Sequence, residues 1–393
     1  MRNYLMALFT CLAIVSNAAA ITLVVNIEGG DDYTSIQPAL DATADGDTVL
    51  VMPGTYVGAE NRNLDFDSKN LTLRSNNFNQ TSIIDCEGLG RALFLNDGQD
   101  RSSIIEGLVF QNGIHATTGG ALYFYGASPS VRYCHFIGNE SVQGGAIYFF
   151  GAGANGMLME NCSFNENHGD YGGALFATGL LAPNVYGCVF TDNSSDLKGG
   201  AIYCTNSSSG WIRSSDFLGN SSFNGGAISL NYSSSPEIST CFFDGNSAED
   251  GGAIGTFNGC APDIESCTFV HNTATEGGCL HFAFNSNPIV HQCILSFSVT
   301  GATMYCGSSL PQIYHNLIWS NGGGNDLCGD YHDNIYLNPQ YCGTTNLGPY
   351  TLQSDSPAAA ANNDFDELLG ALPVDCDESA AEASNWSRVK RLY

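Results

Sequence analysis

Gly144-Gly145-Ala146-Ile147 opens, and Phe164-Asn165-Glu166-Asn167 closes, a phrase that this chain writes about eight times. The opening, Gly-Gly-Ala-(Ile/Leu), stands at Gly119, Gly144, Gly172, Gly199, Gly225 and Gly251, and returns as Gly277-Gly278-Cys279-Leu280. Successive starts lie 25 to 28 residues apart. The closing, Phe-x-x-Asn, runs through Phe136/Asn139, Phe164/Asn167, Phe190/Asn193, Phe217/Asn220, Phe243/Asn246 and Phe269/Asn272. A fixed period of this length marks a solenoid, in which each repeat buries its apolar face only against its neighbours.

A middle phrase makes the pattern three-dimensional. Five residues before each Phe stands an aliphatic residue: Ile104, Val131, Met159, Val185, Ile212, Ile238, Ile264, Val290, Ile313. The Phe column itself reads Val109, Phe136, Phe164, Phe190, Phe217, Phe243, Phe269, Leu295, Ile318, usually with a Cys two residues earlier. Cys and Phe, two apart, point the same way on a strand, whereas the three-residue step from aliphatic residue to Cys breaks the alternation. A bend between two short strands follows. With the Gly-Gly-Ala-Ile strand this makes three strands per coil, equivalent residues stacking about 4.8 Å apart. The fold class is therefore all-β, a right-handed parallel β-helix. The column Asn112, Asn139, Asn167, Asn193, Asn220, Asn246, Asn272 and Asn321 falls at a turn, where each amide can bond the next coil. Gly pairs and Asn-Ser clusters interrupt every would-be helix, which excludes a helical repeat.

Outward from the repeats, residues 1–20 read as a secretory signal: Arg2, an apolar run from Leu5 to Val15, then Ala18-Ala19-Ala20. Residues 21–60 read as an N-terminal cap with the first coil. Thr34–Thr43 carries Ile36, Ala39 and Leu40 at helical spacing with Thr34 or Ser35 as N-cap, a helix suited to hiding an open sheet edge. Residues 61–321 hold the β-helix, 322–378 an exit coil and C-terminal cap, and 379–393 a polar, basic tail. No later segment has 18 consecutive apolar residues, so the sequence contains no membrane-spanning helix. The expected location is secreted, periplasmic or cell-surface.

Two resemblances attach to these residues. Gly29-Gly30-Asp31-Asp32-Tyr33-Thr34-Ser35-Ile36-Gln37, Ala44-Asp45-Gly46-Asp47-Thr48-Val49 and Pro53-Gly54-Thr55-Tyr56 resemble the opening of pectin lyase-like β-helix proteins, pectinesterases included. The Gly-Gly-Ala-Ile and Phe-x-x-Asn phrases resemble the repeats of polymorphic outer membrane proteins. Pectin lyase-like enzymes use carboxylates with Ca²⁺ and a basic residue, paired Asp acids, or an Asp pair with Arg. The Gln-Asp-Asp patterns of the esterases are absent here, so the resemblance carries no catalytic residue onto this chain.

Net charge is −27, with 39 acids against 12 bases. This excludes nucleic acid and anionic lipid as natural partners, since both need positive charge. Of 15 cysteines, Cys134, Cys162, Cys188, Cys241, Cys267 and Cys293 form one inward column, read as packed small hydrophobes. Cys204, Cys260, Cys279 and Cys306 read as wall residues, whereas Cys328, Cys342 and Cys376 are the disulfide candidates.

Chemistry at a glycosidic bond needs facing carboxyl groups, and proton abstraction beside a carboxylate needs a base and a cation. Between Gly119 and Asn321 the only Lys and Arg are Arg132, Lys198 and Arg213. Two acid groups fall on adjacent coils: Glu237, Asp263 and Glu265, taken as the candidate Ca²⁺ ligands, and Glu249, Asp250 and Glu276. The first strand offers a second candidate. Its outward pairs Tyr123/Tyr125, Tyr148/Phe150, Phe176/Thr178 and Tyr203/Thr205 stack an aromatic residue on four consecutive coils. An exposed aromatic stripe is unusual on a solvated surface. In pectin lyase-like enzymes the sugar groove runs along such a face. Tyr123, Tyr125, Tyr148, Phe150, Phe176 and Tyr203 are thus the candidate binding residues. The reading is a binding, adhesin-like module for a polysaccharide or another cell-surface component, with a polysaccharide lyase or hydrolase as first alternative and a structural spacer as second. The oligomeric state stays open.

Overall fold

The computed structural model describes residues 19–151, 156–180, 183–343, 350–374 and 376. The signal-peptide expectation falls almost entirely outside these residues, and the expectation for 379–393 falls wholly outside.

Three long parallel sheets run the length of a β-solenoid. Sheet 1 carries the aliphatic column in 13 strands, from Thr22–Val25 to Asp330–His332. Sheet 2 carries the Phe column in 11 strands, from Gly54–Tyr56 to Leu317–Trp319. Sheet 3 carries the Gly-Gly-Ala-Ile strands in 10, from Leu64–Asp65 to Met304–Cys306. A four-stranded sheet 4, absent from the three-strand expectation, fills the interval between Asn and Gly-Gly: Ile114–Thr118, Glu140–Gln143, His168–Tyr171 and Ser194–Lys198. The short helix Ile36–Asp41 follows Ser35 and buries Ile36, Ala39 and Leu40. No helix among the described residues is long and apolar enough to cross a membrane.

The columns pack as the period demands. Phe136, Phe164, Phe190, Phe217, Phe243 and Phe269 are fully buried and stack face to face at 4.6 to 4.9 Å. From Asn139 to Asn246 each backbone N–H and each Nδ2 donates to Oδ1 of the next Asn, at 2.9 to 3.0 Å. Each Nδ2 also donates to the carbonyl of the Phe one coil back, as Asn167 does to Phe136. The Gly pair has a steric cause. Gly144 sits at φ +69°, and a Cβ on Gly145 would strike the carbonyl oxygens of Gly173 and His168.

Three further expectations change. The first repeat slips by one residue: Ile105 and Phe110, not Ile104 and Val109, pair with Val131 and Phe136. Gly113 then occupies the Asn column and donates its N–H to Asn139 Oδ1, leaving Asn112 exposed. The column cysteines are hydrogen-bonding groups as well as small hydrophobes. Cys134 Sγ donates to the carbonyls of Ile105 (3.6 Å) and Arg132 (3.3 Å), and Cys162, Cys188, Cys241, Cys267 and Cys293 repeat the pattern. Asn316 takes the same place, its Nδ2 donating to Val290 and Tyr314. Cys306, read as a wall residue, is disulfide-bonded to Cys328, and Cys342 pairs with Cys376. Beyond Asn321, in the stretch read as exit coil and cap, Asp330–His332 joins sheet 1 and Ile335 bridges to Leu317. The chain then folds back along the outer face of sheet 2. There Leu352, Ala358 and Leu369 pack on Ile294 and Leu317, and Leu372 packs on Phe242 and Val270.

Candidate functional site

Sheets 4 and 3 meet at an inside corner, with the Gly pair as its hinge. The residue before each Gly pair forms one wall: Thr118, Gln143, Tyr171, Lys198, Asn224, Asp250, Glu276. The first outward residue of sheet 3 forms the other: Tyr123, Tyr148, Phe176, Tyr203, Ser229, Gly255, His281, Tyr305. Side chains touch across it. Tyr171 and Tyr203 lie 5.7 Å apart, and Lys198 Nζ sits 5.8 Å from the Tyr203 ring and 5.7 Å from the Phe257 ring. One end of the corner is aromatic and the other acidic.

At the aromatic end the rings stack mainly on one another. Tyr123, Tyr148 and Phe176 are parallel at 5.3 Å, and Tyr203 tilts by 60° at 5.4 Å from Phe176. The guanidinium of Arg91, itself buried, lies 4.6 Å over Tyr123 and donates to the Thr118 carbonyl. Phe176 and Tyr203 are each only 5% exposed, and Asn231 Nδ2 donates to the Tyr203 hydroxyl at 3.3 Å. This corrects the expectation of a flat, four-ring open strip: mutual stacking consumes the ring faces, and two rings are buried. The open rings belong to the outer row. Tyr125 is 48% exposed and stacks at 4.7 Å on the half-buried Phe150. Tyr125 opens this row, and its ring also lies parallel to that of Tyr123, 6.4 Å away with 8° between planes.

Glu237 and Asp263 stand in register, as read from the sequence, but their carboxylates are already engaged. Arg213 grips Glu237 with Nε at 2.8 Å and Nη2 at 2.6 Å, and this holds the Glu237 carboxyl below its usual range. Asp263 Oδ1 lies 3.0 Å from His291 Nε2. Among the described residues, the one trio whose ligand atoms all lie within 4.8 Å of one another is Asp250, Glu276 and His281. Two of these belong to the second acid group of the sequence. His281 was not singled out, because its carboxylate partners lie on the opposite wall of a corner that the sequence does not display.

His281 is 4% exposed, and its ring lies against Tyr305 (4.9 Å, 4° between planes) and Phe257 (5.3 Å). Burial pushes its pKa down, against the pull of Asp250 and Glu276. Burial raises that of Asp250, with His281 opposing. Two rungs along the same wall as Asp250, partial burial lowers the pKa of the Lys198 ammonium.

Residues 120–279 match a family model described as a right handed beta helix region. No curated protein sequence is similar enough to serve as a relative. Among solved structures, the PL6 family alginate lyase AlyGC is 14% identical with a TM-score of 0.42, over 89% of this chain and 56% of that one. The PL6 family polysaccharide lyase Pedsa3628 from Pseudopedobacter saltans is 14% identical with a TM-score of 0.44, over 81% and 92%. Pectate lyase Pel9A is 11% identical with a TM-score of 0.45, over 91% and 97%.

Proposed function

We propose that this β-helix is an exported, adhesin-like binding module that takes an extended carbohydrate chain along the corner between sheets 3 and 4. The observation that carries the reading is the outer aromatic row. Tyr125 presents an open ring, backed by Phe150 at 4.7 Å, beside a corner that turns polar further along the axis. A sugar ring can stack on such a face while its hydroxyls bond polar neighbours. Because a solenoid repeats its surface every rung, the ligand it fits best is itself a repeating polymer. The charge of −27 favours neutral chains over polyanions. Binding of the purified protein to a polysaccharide array, with product detection, tests this. Retention of a neutral glycan without new products is the expected result; no retained glycan overturns it.

A lyase is the second reading, and Lys198 is the observation that favours it. A partly desolvated amine with a lowered pKa suits a general base, and metal-capable carboxylates line the same corner. Release of unsaturated, ultraviolet-absorbing fragments from a uronate polymer, lost in Lys198→Ala, would decide for this reading.

A further inference from the structure

We infer that Asp250, Glu276 and His281 form a binding site for a divalent first-row transition metal ion of the Zn²⁺ class. Their donor atoms lie within 4.8 Å of one another. Asp250 and Glu276 occupy one column on adjacent rungs, so the backbone ladder holds two like charges about 4.8 Å apart. No Lys or Arg forms an ion pair with either among the described residues; the one salt-bridge partner is His281. The nearest cation of that wall, Lys198, is two rungs away with Asn224 between.

His281 supplies the second, independent observation. The ring is buried at 4% exposure, and its stacking on Tyr305 and Phe257 fixes its orientation. Nδ1 has no hydrogen-bond partner. Nε2 faces Glu276 Oε2 at 3.5 Å, longer than an ordinary hydrogen bond. Nε2 therefore faces the carboxylates, and a cation held between them would replace its one long contact with Glu276. The ring must be neutral to ligate.

The donor set selects the ion. Ca²⁺ collects six to eight oxygens, whereas imidazole nitrogen with two carboxylates suits Zn²⁺ and its neighbours. The donors lie within 4.8 Å of one another and one pair is already 3.5 Å apart, against about 3.4 Å along the edge of a tetrahedral site, and the Glu276 side chain is 45% exposed. Asn224 Nδ2 donates to Asp250 Oδ2 at 2.8 Å, which orients that carboxylate as outer-shell partners of metal ligands do. Three protein donors would leave a further coordination position for water or a ligand.

The test is titration of the metal-stripped, disulfide-intact chain with Zn²⁺ alone, Co²⁺ alone and Ca²⁺ alone. Expected are one Zn²⁺ per chain, a Co²⁺ spectrum of nitrogen and oxygen ligation, and much weaker Ca²⁺ binding. Glu276→Gln alters an exposed side chain, so it should keep the metal-free melting temperature while binding Zn²⁺ at least tenfold more weakly. Asn224→Ala should lose about 10- to 100-fold in affinity. His281→Gln should abolish binding; if it does not fold, the Glu276 variant decides. Absence of Zn²⁺ binding overturns the inference. So do unchanged affinity in Glu276→Gln, a thiolate charge-transfer band with Co²⁺, and Ca²⁺ binding that equals Zn²⁺ and survives His281→Gln.

Discussion

Asn193 and Asn220 are joined inside the solenoid wall: the backbone N–H and Nδ2 of Asn193 both donate to Asn220 Oδ1 at 3.0 Å. Asn193 Nδ2 also donates to the Phe164 carbonyl, and its Oδ1 accepts from the backbone N–H and Nδ2 of Asn167. Truncation strands buried groups on both neighbouring rungs. Asn193→Ala should therefore destabilise by at least about 2 kcal/mol, because an orphaned buried donor or acceptor costs about 1–3 kcal/mol. Asn193→Asp should be worse, since a carboxylate cannot donate to Phe164. Thermal unfolding of both variants checks the order; equal stability of wild type and Asn193→Asp would contradict it.

The Phe stack and the surface ion pairs should separate widely in energy. Phe190 is fully buried between Phe164 at 4.7 Å and Phe217 at 4.9 Å. Phe190→Ala should cost about 3–5 kcal/mol. Arg132 and Glu160 pair in register, Nε to Oε2 at 3.0 Å, as their shared column position requires. Both are about one-third exposed, so Glu160→Gln should cost at most about 1 kcal/mol. Similar losses in the two variants would mean that stability does not reside in the stacked columns.

How far the sequence carried this structure follows from where its period holds. The columns from Val131 to Ile318 and from Asn139 to Asn321 were legible because each repeat names its inward residues. At the first repeat Val109 and Phe110 are both apolar, and Asn112 precedes the Gly113 that holds the turn; two adjacent matches cannot fix a register. The fold-back of Leu352–Leu372 has no period to read. Sheet 4 was hidden because its strands, four or five residues long, are mostly polar and carry no apolar column. The corner was hidden with it: its two walls are separated along the chain by the Gly pair, and which side chains meet depends on that hinge angle. So the acids Asp250 and Glu276 were visible, while His281 facing them was not.

Asp216 gives a pH test with a definite sign. It stands on the outer face of sheet 2, paired in register with Val189 and Phe242, and burial pushes its carboxyl up to about 7. A folded pKa above the unfolded value near 3.9 means that the favourable, protonated state is fully present below about pH 4 and is lost as pH rises towards 7. Asp216→Asn should thus gain a few kcal/mol over wild type at pH 8 and nothing at pH 4. Melting curves at the two pH values decide it, and a gain independent of pH would remove the charge explanation.

The thiols offer a second readout of the wall. All ten free cysteines among the described residues are buried. Burial pushes Cys86, Cys204 and Cys279 up to about 12 and Cys260 to about 11. Since the thiolate is the reactive form, the native protein should show none of these ten reacting with an aromatic disulfide at pH 8. Denaturant should release all ten together. Early reaction of a subset would identify coils that open independently of the rest.

The functional reading turns on separating the open rings from the buried ones. Tyr125 and Phe150 form the outer row, while Phe176 and Tyr203 lie beneath the corner. Tyr125→Ser with Phe150→Ser should keep the melting temperature within a few degrees and weaken glycan binding at least tenfold. Each stacked aromatic contact is worth about 0.5–1.5 kcal/mol beyond its buried area, so two together account for that loss. Tyr203→Ser should behave oppositely. It removes a buried ring that touches Tyr171, Phe176 and Lys198 and a hydroxyl bonded by Asn231, so stability should fall first. If the outer-row double variant unfolds, the row is a structural ladder and not a binding face. If it folds and binds as wild type, the glycan lies elsewhere on the solenoid.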